Sequence, residues 1–463
     1  MKKIKNIYMI GIKGVGMTML AQFLADRYNI SGSDIEDVFL TDKVLKKEKI
    51  KVSSPFDINN VPEKIDWLIY SSAFNADNNV ELDYVLKNYK GIKVTSYAQA
   101  LGELFNQYKG IAVCGSHGKT TVSAWLGYVL DRANKNPNVL VGSRVPQFKG
   151  SSIKGSSKLF VAEVDEYQNK LQYFKPYGAV LNNIDFDHPD FFKTKKDYVK
   201  VFEDFIKKIP KDGFLVINNE DKNIREIRDK CKTQIISHQI GREKKTEEAV
   251  NYLAHNLRQT KTGQVFEVNN LGEFRVKLLG EHSVLNALSV IASARELGVS
   301  IEKIREHLNG FKGTERRAQV MGKYKGVIII DDYAHHPVEI QTTLQGVKEA
   351  YKDRNIITVF HPHTFTRTKA LFKEFSKSFG NTNELIVLDI YGSAREKQGG
   401  VSSRDLVKEI VRFNTKNNIK QKVHHIPSLE TVHGYLRKNL KKNDLVLLMG
   451  AGDVFRIGKE LLK

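Results

Sequence analysis

Short apolar runs recur along the chain, and many of them lead into a turn and then into apolar residues at helical spacing. The run at residues 111–114 predicts a short buried strand. The apolar positions that follow it predict one face of a helix, and they are Val122, Trp125, Leu126, Val129 and Leu130. Strands that alternate with helices in this way are typical of sheets covered by helices. The pattern predicts an α/β fold with parallel sheets.

The alternation divides the chain into three segments, which we interpret as domains covering residues 1–106, 107–314 and 315–463. Predicted strands lie at 6–10, 28–34 and 66–72 in the first segment, at 111–114, 158–162 and 177–184 in the second, and at 326–330, 356–360, 384–388 and 444–449 in the third. Turn signals and short alternating runs at residues 210–276 predict an irregular, β-rich stretch. A long helix is expected from residue 280 to residue 297.

The strongest functional signal is the turn between the strand at 111–114 and the helix after it. This turn consists of Gly115, Ser116, His117, Gly118, Lys119, Thr120 and Thr121. Backbone N–H groups at the helix start face an anion, Lys119 adds a positive charge, and the Thr120 hydroxyl is placed to hold a magnesium ion. The turn is shorter than a G-x-x-x-x-G-K-[ST] loop, because Val113 stands where the first glycine would be. The strand before it and the helix after it favour a nucleoside triphosphate site over a chance match.

Two further strand ends of the second segment carry polar residues. Glu163 follows the strand at 158–162, and Asp187 and His188 follow the strand at 177–184. Ligands collect at the carboxyl ends of parallel strands, so we expect Glu163 and His188 to converge on the magnesium ion held by Thr120. At the start of the long helix, His282 and Asn286 are placed to face a nucleotide base.

A second glycine-rich turn follows the first strand of the chain. Its spacing is G-x-x-G-x-G rather than the G-x-G-x-x-G of nicotinamide-binding folds, and its residues include Gly11, Gly14, Val15 and Gly16. Asp34 stands about where a ribose-binding acid would lie, and Ser71 and Ser72 end the strand at 66–72. The arrangement favours a phosphorylated ligand whose diphosphate lies at the helix start, over glycines that serve packing alone.

Polar or glycine residues also follow each predicted strand of the third segment, as expected along one edge of an open sheet. Among them are Asp332, His335, His336 and Arg367. Adjacent histidines occur in zinc sites, but no third ligand stands at the proper spacing. The pattern therefore favours a role in orienting a carboxylate or amine substrate.

A formal net charge of +20 over 463 residues changes this interpretation little. The lysines are spread along the whole chain without a helix-turn-helix, finger or RNA-binding motif, which favours a solvated lysine-rich surface over nucleic-acid binding. No apolar run approaches the roughly 20 residues that span a bilayer, so we expect no membrane insertion. The two cysteines form neither a disulfide framework nor a metal motif. We expect a cytoplasmic protein.

Together these motifs resemble those of the Mur ligases, and the resemblance covers essentially the whole chain. The segments that carry it are residues 115–121, 163–166, 187–188, 286, 316–317, 332–337 and 450–453. The most specific ones are 332–337, 11–16 with 31–34, His361-Pro-His363 with Arg367, and the run from Asp389 to Glu396. These are most similar to the branch of the family that adds L-alanine to UDP-N-acetylmuramate.

The resemblance implies a Rossmann-like N-terminal domain for the UDP-sugar, a central P-loop ATPase domain and a Rossmann-like C-terminal domain for the amino acid. It implies ATP and Mg²⁺ as cofactors, UDP-N-acetylmuramate and L-alanine as substrates, and a monomer or homodimer. In the implied reaction the γ-phosphoryl group passes to the lactyl carboxylate, and the amine attacks the resulting acyl phosphate.

The resemblance also assigns roles to residues. Lys119 would neutralise the developing charge, Thr120 and Glu163 would hold one magnesium ion, and His188 would hold a second. Arg317 and Asp332 would meet the nucleotide after domain closure. The residues expected beside the incoming amino acid are His335, His336 and Arg367.

Two positions depart from the family pattern. Ser283 stands where the family usually has asparagine, which puts the contact to the base in question. Thr364 stands where many alanine-adding members have arginine, so another amino acid remains an alternative. The run from Leu181 to His188 is also similar to the murein-tripeptide ligases, which attach a whole peptide to the same sugar. A folate-type ligase, a nicotinamide oxidoreductase and a non-enzymatic nucleotide-binding regulator are the competing classes.

Overall fold

The computed structural model describes residues 4–39, 41–241, 250–392, 396 and 398–463. Its first sheet consists of β1 (Asn6–Ile10), β2 (Asn29–Ser33), β3 (Lys51–Ser53), β4 (Trp67–Tyr70) and β5 (Lys93–Ser96). These strands are all parallel and lie in the order β3-β2-β1-β4-β5. The helices of this unit are α1 (Val15–Leu24), α2 (Asp42–Lys47), α3 (Val80–Asn88) and α4 (Tyr97–Phe105). The strand order reverses between β1 and β4, and such a switch point leaves a crevice for a ligand at the carboxyl ends of the strands.

The second sheet is the largest. Its strands are β6 (Lys109–Cys114), β7 (Asn138–Val145), β8 (Gly150–Ile153), β9 (Leu159–Glu163), β10 (Gly178–Leu181), β11 (Phe214–Asn218), β12 (Gln234–Ile240), β13 (Tyr252–Thr260), β14 (Gly263–Val268) and β15 (Gly272–Val276). They lie in the order β15-β14-β13-β12-β11-β10-β6-β9-β7-β8. Its helices are α5 (Lys119–Arg132), α6 (Lys195–Ile206), α7 (Lys222–Ile227), α8 (Glu281–Glu296) and α9 (Ile301–Gly310).

The stretch at residues 210–276 is more regular than the sequence suggests. Strands β11, β12 and β13 continue the parallel part of the central sheet, and β14 and β15 complete it as an antiparallel edge. The short alternating runs arise because more buried and less buried residues alternate along β13 and β14, which lie next to the edge strand β15.

The third sheet consists of β16 (Gln319–Tyr324), β17 (Val327–Asp332), β18 (Asn355–Phe360), β19 (Glu384–Val387), β20 (Lys422–His425) and β21 (Asp444–Met449), in the order β16-β17-β21-β18-β19-β20. Only β16 is antiparallel to its neighbour among these described strands. The helices are α10 (Pro337–Ala350), α11 (Phe365–Ala370), α12 (Phe372–Ser376), α13 (Ser403–Lys416), α14 (Leu429–Asn439) and α15 (Phe455–Leu461). Short 3-10 segments elsewhere lie at Ile58–Asn60, Pro146–Phe148, Tyr167–Tyr173 and Arg228–Lys230.

The α/β class and the predicted strands are confirmed. The central strands of the sheets, such as β10, β17 and β21, are buried along their whole length, which explains their unbroken apolar sequence. Several helices begin at a side-chain cap, for example α4 at Ser96 and α6 at Thr194. Across the described residues, no helix combines the length and the apolar character needed to cross a membrane.

One buried apolar cluster joins the first sheet to the second. Phe160 of β9 lies at its centre, with its ring centroid 5.3 Å from that of Phe23 of α1 and 5.9 Å from that of Phe105 of α4. Tyr108 packs on the same ring at 5.3 Å. The apolar core of the third unit is built separately on the two faces of its own sheet.

Replacing Phe160 with alanine should therefore loosen two units at once. The side chain is fully buried, and its loss leaves a cavity among aromatic rings, so we expect a destabilisation of about 3–5 kcal/mol. Chemical denaturation followed by tryptophan fluorescence measures it. Val411→Ala on α13, where the side chain is 45% exposed, is the control and should change stability by less than about 0.5 kcal/mol. Equal effects of the two variants would contradict the role assigned to Phe160.

Candidate active site

The glycine turn between β6 and α5 has the backbone that a phosphate loop needs. Gly115 and Gly118 have φ values of +123° and +80°, a region that favours glycine. A Cβ atom on Gly115 would lie 2.8 Å from the backbone oxygen of Asn183, and one on Gly118 would lie 2.8 Å from Oδ1 of Asn286. Gly118 is the N-cap of α5, so the first N–H groups of a 14-residue helix point into the turn. The turn can therefore receive an anion.

Lys119 lies in this turn as a buried cation. Its Nζ atom lies 2.9 Å from Oε2 of Glu166 and donates to the carbonyl oxygens of Gly115 and Ser116. Burial acts to lower the pKa of Lys119, but the neighbouring carboxylates, chiefly that of Glu166, raise it above the ordinary value. Oε1 of Glu166 accepts a hydrogen bond from Tyr198 at 2.8 Å. The lysine charge is therefore fixed in place and oriented by a buried carboxylate.

Two groups of atoms that can bind a metal ion lie beside the lysine. The Thr120 hydroxyl donates to Oε1 of Glu163 at 2.8 Å, and Oε2 of Glu163 accepts from the backbone N–H of Gly142 at 2.8 Å. Nearby, ligand atoms of Asp165, Glu166 and His188 all lie within 4.8 Å of one another. Hydroxyl and carboxylate oxygens are the atoms that Mg²⁺ prefers. The donor set fits magnesium.

The backbone of His188 has a left-handed conformation, which is uncommon for a residue other than glycine. Its φ is +56°, and its ring packs on Tyr167 with the centroids 4.5 Å apart. Nε2 of His188 lies 3.8 Å from both Glu166 and Asp187. The structure thus puts His188 with Glu166 and Asp165.

His117 connects the phosphate loop to the third unit. Its Nδ1 atom lies 3.2 Å from Oε1 of Glu339 at the start of α10, and its Nε2 atom lies 3.3 Å from Oδ2 of Asp185. Burial acts to lower the pKa of His117, but these two carboxylates raise it to about 9. The loop therefore carries a second cation at neutral pH.

Arg316 and Arg317 have different surroundings. Arg316 donates to the backbone oxygens of Gly450 at 2.6 Å and Gly452 at 2.9 Å, and its Nε lies 3.1 Å from Asp331. Arg317 instead places Nη1 3.7 Å from Oε1 of Glu339. Arg316 therefore fixes the glycine loop after β21, whereas Arg317 belongs to the group around the phosphate loop.

Asp332 is held by backbone groups. Oδ2 accepts from the N–H of Ala318 at 2.6 Å and Oδ1 from the N–H of Ala334 at 2.8 Å. Burial, together with the charge of Glu339, raises its pKa against the opposing effect of Arg317. In this structure Asp332 shapes the chain on both sides of β17.

Arg367 bridges the third and central units. Its guanidinium donates to both carboxylate oxygens of Asp187, at 3.1 and 3.4 Å, and both side chains are buried. Burial acts to raise the pKa of Asp187, but Arg367 holds it well below its usual value. His336 lies on the same side, with its ring centroid 4.8 Å from that of His117. His335 places Nδ1 3.0 Å from the carbonyl oxygen of Tyr333.

The residues at the start of α8 lie beside the loop. Oδ1 of Asn286 occupies the space that a Cβ atom on Gly118 would need, and His282 is half-buried, with its Nδ1 atom buried and lacking a hydrogen-bond partner in the described structure. Burial lowers the pKa of His282 to about 4, so the ring is neutral. Ser283 donates to the carbonyl oxygen of Leu279 at 2.6 Å and is buried. Its hydroxyl is thus engaged within the helix start.

The glycine turn after β1 forms one wall of the first unit's crevice. A Cβ atom on Gly11, whose φ is +80°, would lie 2.8 Å from Cβ of Ser71, and one on Gly16 would lie 2.6 Å from the ring of Tyr97. Gly14 is the N-cap of α1, Val15 begins that helix at 39% exposure, and Ser72 is half-buried after β4. The expected ligand-binding positions therefore share one edge.

Asp34 accepts hydrogen bonds from the backbone on both sides of its position in the first unit. Oδ2 accepts from the backbone N–H of Lys13 at 2.6 Å, and Oδ1 accepts from that of Ile35 at 2.8 Å. Burial raises its pKa. The carboxylate thus holds the backbone of the glycine turn at Lys13.

Three members of the site, Glu166, Tyr198 and Glu339, were not predicted from the sequence. Glu166 lies within the 163–166 motif, and its burial beside a lysine could have been suspected from the strand end. Glu339 carries a capping signal only, because it follows His336 by three positions. Residues 393–395, within the motif from Asp389 to Glu396, lie outside the described residues.

Comparison with known families matches almost the whole chain. The family models are the Mur ligase family catalytic domain over residues 6–109, the Mur ligase middle domain over 113–294, and the Mur ligase glutamate ligase domain over 316–452. A UDP-N-acetylmuramate–L-alanine ligase of Desulfitobacterium hafniense is 39% identical over 99% of both chains. One of Caldanaerobacter subterraneus is 36% identical over 100% of this chain and 98% of its own.

Solved structures share the fold. A UDP-N-acetylmuramate-alanine ligase of Thermotoga maritima matches with a TM-score of 0.80 at 24% identity, over 99% of this chain and 98% of its own. A murein peptide ligase of Psychrobacter arcticus matches with a TM-score of 0.73 at 23% identity, over 99% of this chain and 98% of its own.

The charge on His117 predicts a pH dependence of stability. Its pKa of about 9 in the fold exceeds the value of about 6.5 expected in the unfolded chain. The stabilisation is therefore fully present below about pH 6.5 and is lost as the pH rises through about 9. The melting temperature of the wild type should exceed that of His117→Asn at pH 6, and the gap should narrow by pH 9.5. A gap of constant size would show that folding does not shift the pKa of His117.

Proposed function

The chain belongs to the Mur ligase family, and on that premise we propose that it joins L-alanine to the lactyl carboxylate of UDP-N-acetylmuramate. It is an ATP-dependent ligase of peptidoglycan precursor synthesis. The observation that carries this conclusion is the full-length similarity to UDP-N-acetylmuramate–L-alanine ligases at 35–39% identity. The phosphate loop supplies the chemistry that such a ligase requires.

We assign one substrate to each unit, with domains at residues 1–106, 107–314 and 315–463. The crevice at Gly11 and Ser71 would receive the UDP-sugar, because the start of α1 offers N–H groups to a diphosphate. The turn before α5 would hold ATP. The polar edge of the third sheet, at His335 and His336, would receive the amino acid. All three sites use the carboxyl ends of parallel strands.

Phosphoryl transfer brings a carboxylate against a triphosphate, and cations must offset their repulsion. Lys119 supplies one fixed charge, and His117 supplies another on the same loop. Thr120 and Glu163 would hold a magnesium ion, and His188 would help to hold a second one with Asp165. Bound magnesium would neutralise charge on the phosphates. Arg317 would approach the nucleotide from the third unit.

The second step is attack of the amine on the acyl phosphate, which releases phosphate. Nδ1 of His335 donates to the carbonyl oxygen of Tyr333, so Nε2 is the acceptor nitrogen of the ring. Burial lowers the pKa of His335 to about 3, which keeps the ring neutral. His335 is therefore placed to accept a hydrogen bond from the amine. Arg367, fixed by Asp187, would form the wall beside it.

The amino-acid pocket differs from the family pattern at Thr364. Its hydroxyl accepts from the backbone N–H of Arg367 at 3.3 Å and caps α11. Threonine cannot form the bidentate pair with a carboxylate that arginine forms. We propose that the substrate carboxylate is bound by other groups. We also propose that the enzyme acts in the cytoplasm, where its donor ATP is available.

Lys119→Ala should abolish turnover without removing the sugar site. Loss of the charge on the loop should reduce ATP-dependent phosphate release by about 1,000-fold. Binding of UDP-N-acetylmuramate, measured by isothermal titration calorimetry, should persist because its crevice belongs to the first unit. Lys222→Ala, at a lysine that is 80% exposed on α7, is the matched control and should keep full activity. Normal turnover in Lys119→Ala would contradict the role of the loop.

The amino acid is tested by phosphate release from ATP with Mg²⁺ and UDP-N-acetylmuramate. The panel contains L-alanine, glycine, L-serine and the tripeptide L-Ala-γ-D-Glu-diaminopimelate. We expect release that depends on both the UDP-sugar and L-alanine. Release with the tripeptide alone would assign the protein to the recycling branch, and release with glycine or L-serine in preference would identify another amino-acid-adding ligase. Absence of release with every acceptor would refute the ligase assignment.

A further inference from the structure

Glu339 divides its two oxygens between two units of the protein. Oε2 accepts from the backbone N–H groups of His335 at 3.1 Å and His336 at 3.4 Å, which closes the capping box at the start of α10. Oε1 points the other way, to 3.2 Å from Nδ1 of His117 and 3.7 Å from Nη1 of Arg317. A capping role alone accounts for Oε2 and leaves the contacts of Oε1 unexplained.

The contact of Oε1 joins residues that are far apart in the chain. His117 and Glu339 are separated by 222 positions. His117 lies in the phosphate loop of the central unit, and Glu339 lies in α10 of the third unit. Both side chains are largely buried, at 13% and 12% exposure. His117 has a second carboxylate, Asp185, at its other ring nitrogen. The charges of the two carboxylates favour the cationic form of the imidazole between them, although the geometry of the 3.3 Å contact between Nε2 and Asp185 is not that of a hydrogen bond.

We propose that Glu339 is a positioning residue for phosphoryl transfer, which ties the third unit to the phosphate loop through His117 and aligns Arg317 with the same loop. This inference rests on the proposed function, because it concerns the ATP site of that reaction. No atom of Glu339 needs to touch the substrate. It acts by holding two cations, one from each unit, beside the phosphate loop.

Glu339 acts on His117 and Arg317 through its negative charge. In a buried site, loss of one member of an ion pair leaves the other charge without compensation. Without Glu339, Arg317 and His117 would repel each other across the junction, and the third unit would dock less often on the loop. The effect should therefore appear in kcat and in nucleotide affinity, and it should be absent from the KM for the UDP-sugar, which the first unit binds.

The substitution Glu339→Gln separates the two roles. Glutamine keeps an oxygen that can serve the capping box, but it loses the negative charge that faces His117 and Arg317. We expect a fall of about 10- to 100-fold in kcat, a raised KM for ATP, an unchanged KM for UDP-N-acetylmuramate, and a melting temperature that is lowered by loss of the ion pair but stays well above the assay temperature. Glu349→Gln, later on the same helix, is the matched control and should match the wild type.

A double-mutant cycle with His117→Asn tests the coupling itself. If Glu339 acts through His117, the double variant should be no more impaired than the worse single variant, because the second change removes an interaction already lost. Multiplicative losses would overturn the proposal. So would full activity of Glu339→Gln, or an activity loss that is fully explained by a fall in melting temperature.

The same double-mutant cycle is repeated with nucleotide affinity as the readout. Calorimetry measures the binding of a non-hydrolysable ATP analogue in the presence of Mg²⁺. This readout needs neither the sugar nor the amino acid. If the wild type releases no phosphate with any acceptor but the cycle in nucleotide affinity is non-additive, the proposed function fails and the coupling stands. If the wild type is active and the cycle is additive in both readouts, the coupling fails and the function stands.

Discussion

A loop that must hold a polyanion lies beside several carboxylates, and the site depends on the cations between them. Glu163 ends β9, and Asp165 and Glu166 follow it at the same edge of the sheet as the phosphate loop. Triphosphate would be repelled by that edge unless positive charge intervened. Lys119 and His117 provide it, each held in place by a buried carboxylate of its own. The acidic groups thus orient the cations and still offer oxygen atoms to a metal ion.

Much of this arrangement could be predicted from the sequence because it is local. The strand at 111–114, the glycine turn and the helix after it follow one another within a few residues, so periodicity and turn chemistry define them. The same holds for the strand ends at Glu163 and His188. The pairing of His117 with Glu339, and of Asp187 with Arg367, could not be predicted, because only the packing of the sheets brings those segments together. The hydrogen bonds that Asp34 accepts from Lys13 and Ile35 could not be predicted either, and its part in binding a ribose stays a prediction.

The three units are joined in two physically different ways. Aromatic rings around Phe160 connect the first and second sheets, and such a contact keeps its strength only when packing is close. The described contacts between the second and third sheets include buried ion pairs, which depend on charge as well as on distance. A nucleotide bound at the phosphate loop, as we propose, would change the charge at that junction and not at the apolar one. It would therefore influence the position of the third unit more than that of the first.

The aromatic junction has a consequence for acceptor choice. Because Phe160 fixes α1 and α4 against β9, the span from the glycine turn after β1 to the phosphate loop is set when the chain folds. A sugar nucleotide anchored by its diphosphate at the first turn, as we propose, would offer its carboxylate within a limited range of distances from that anchor. Acceptors that are too short or too long would place the carboxylate away from the γ-phosphate even if every contact to the uridine were made. The spacing between two rigidly joined sheets would thus exclude wrong acceptors by length before any amino acid is bound.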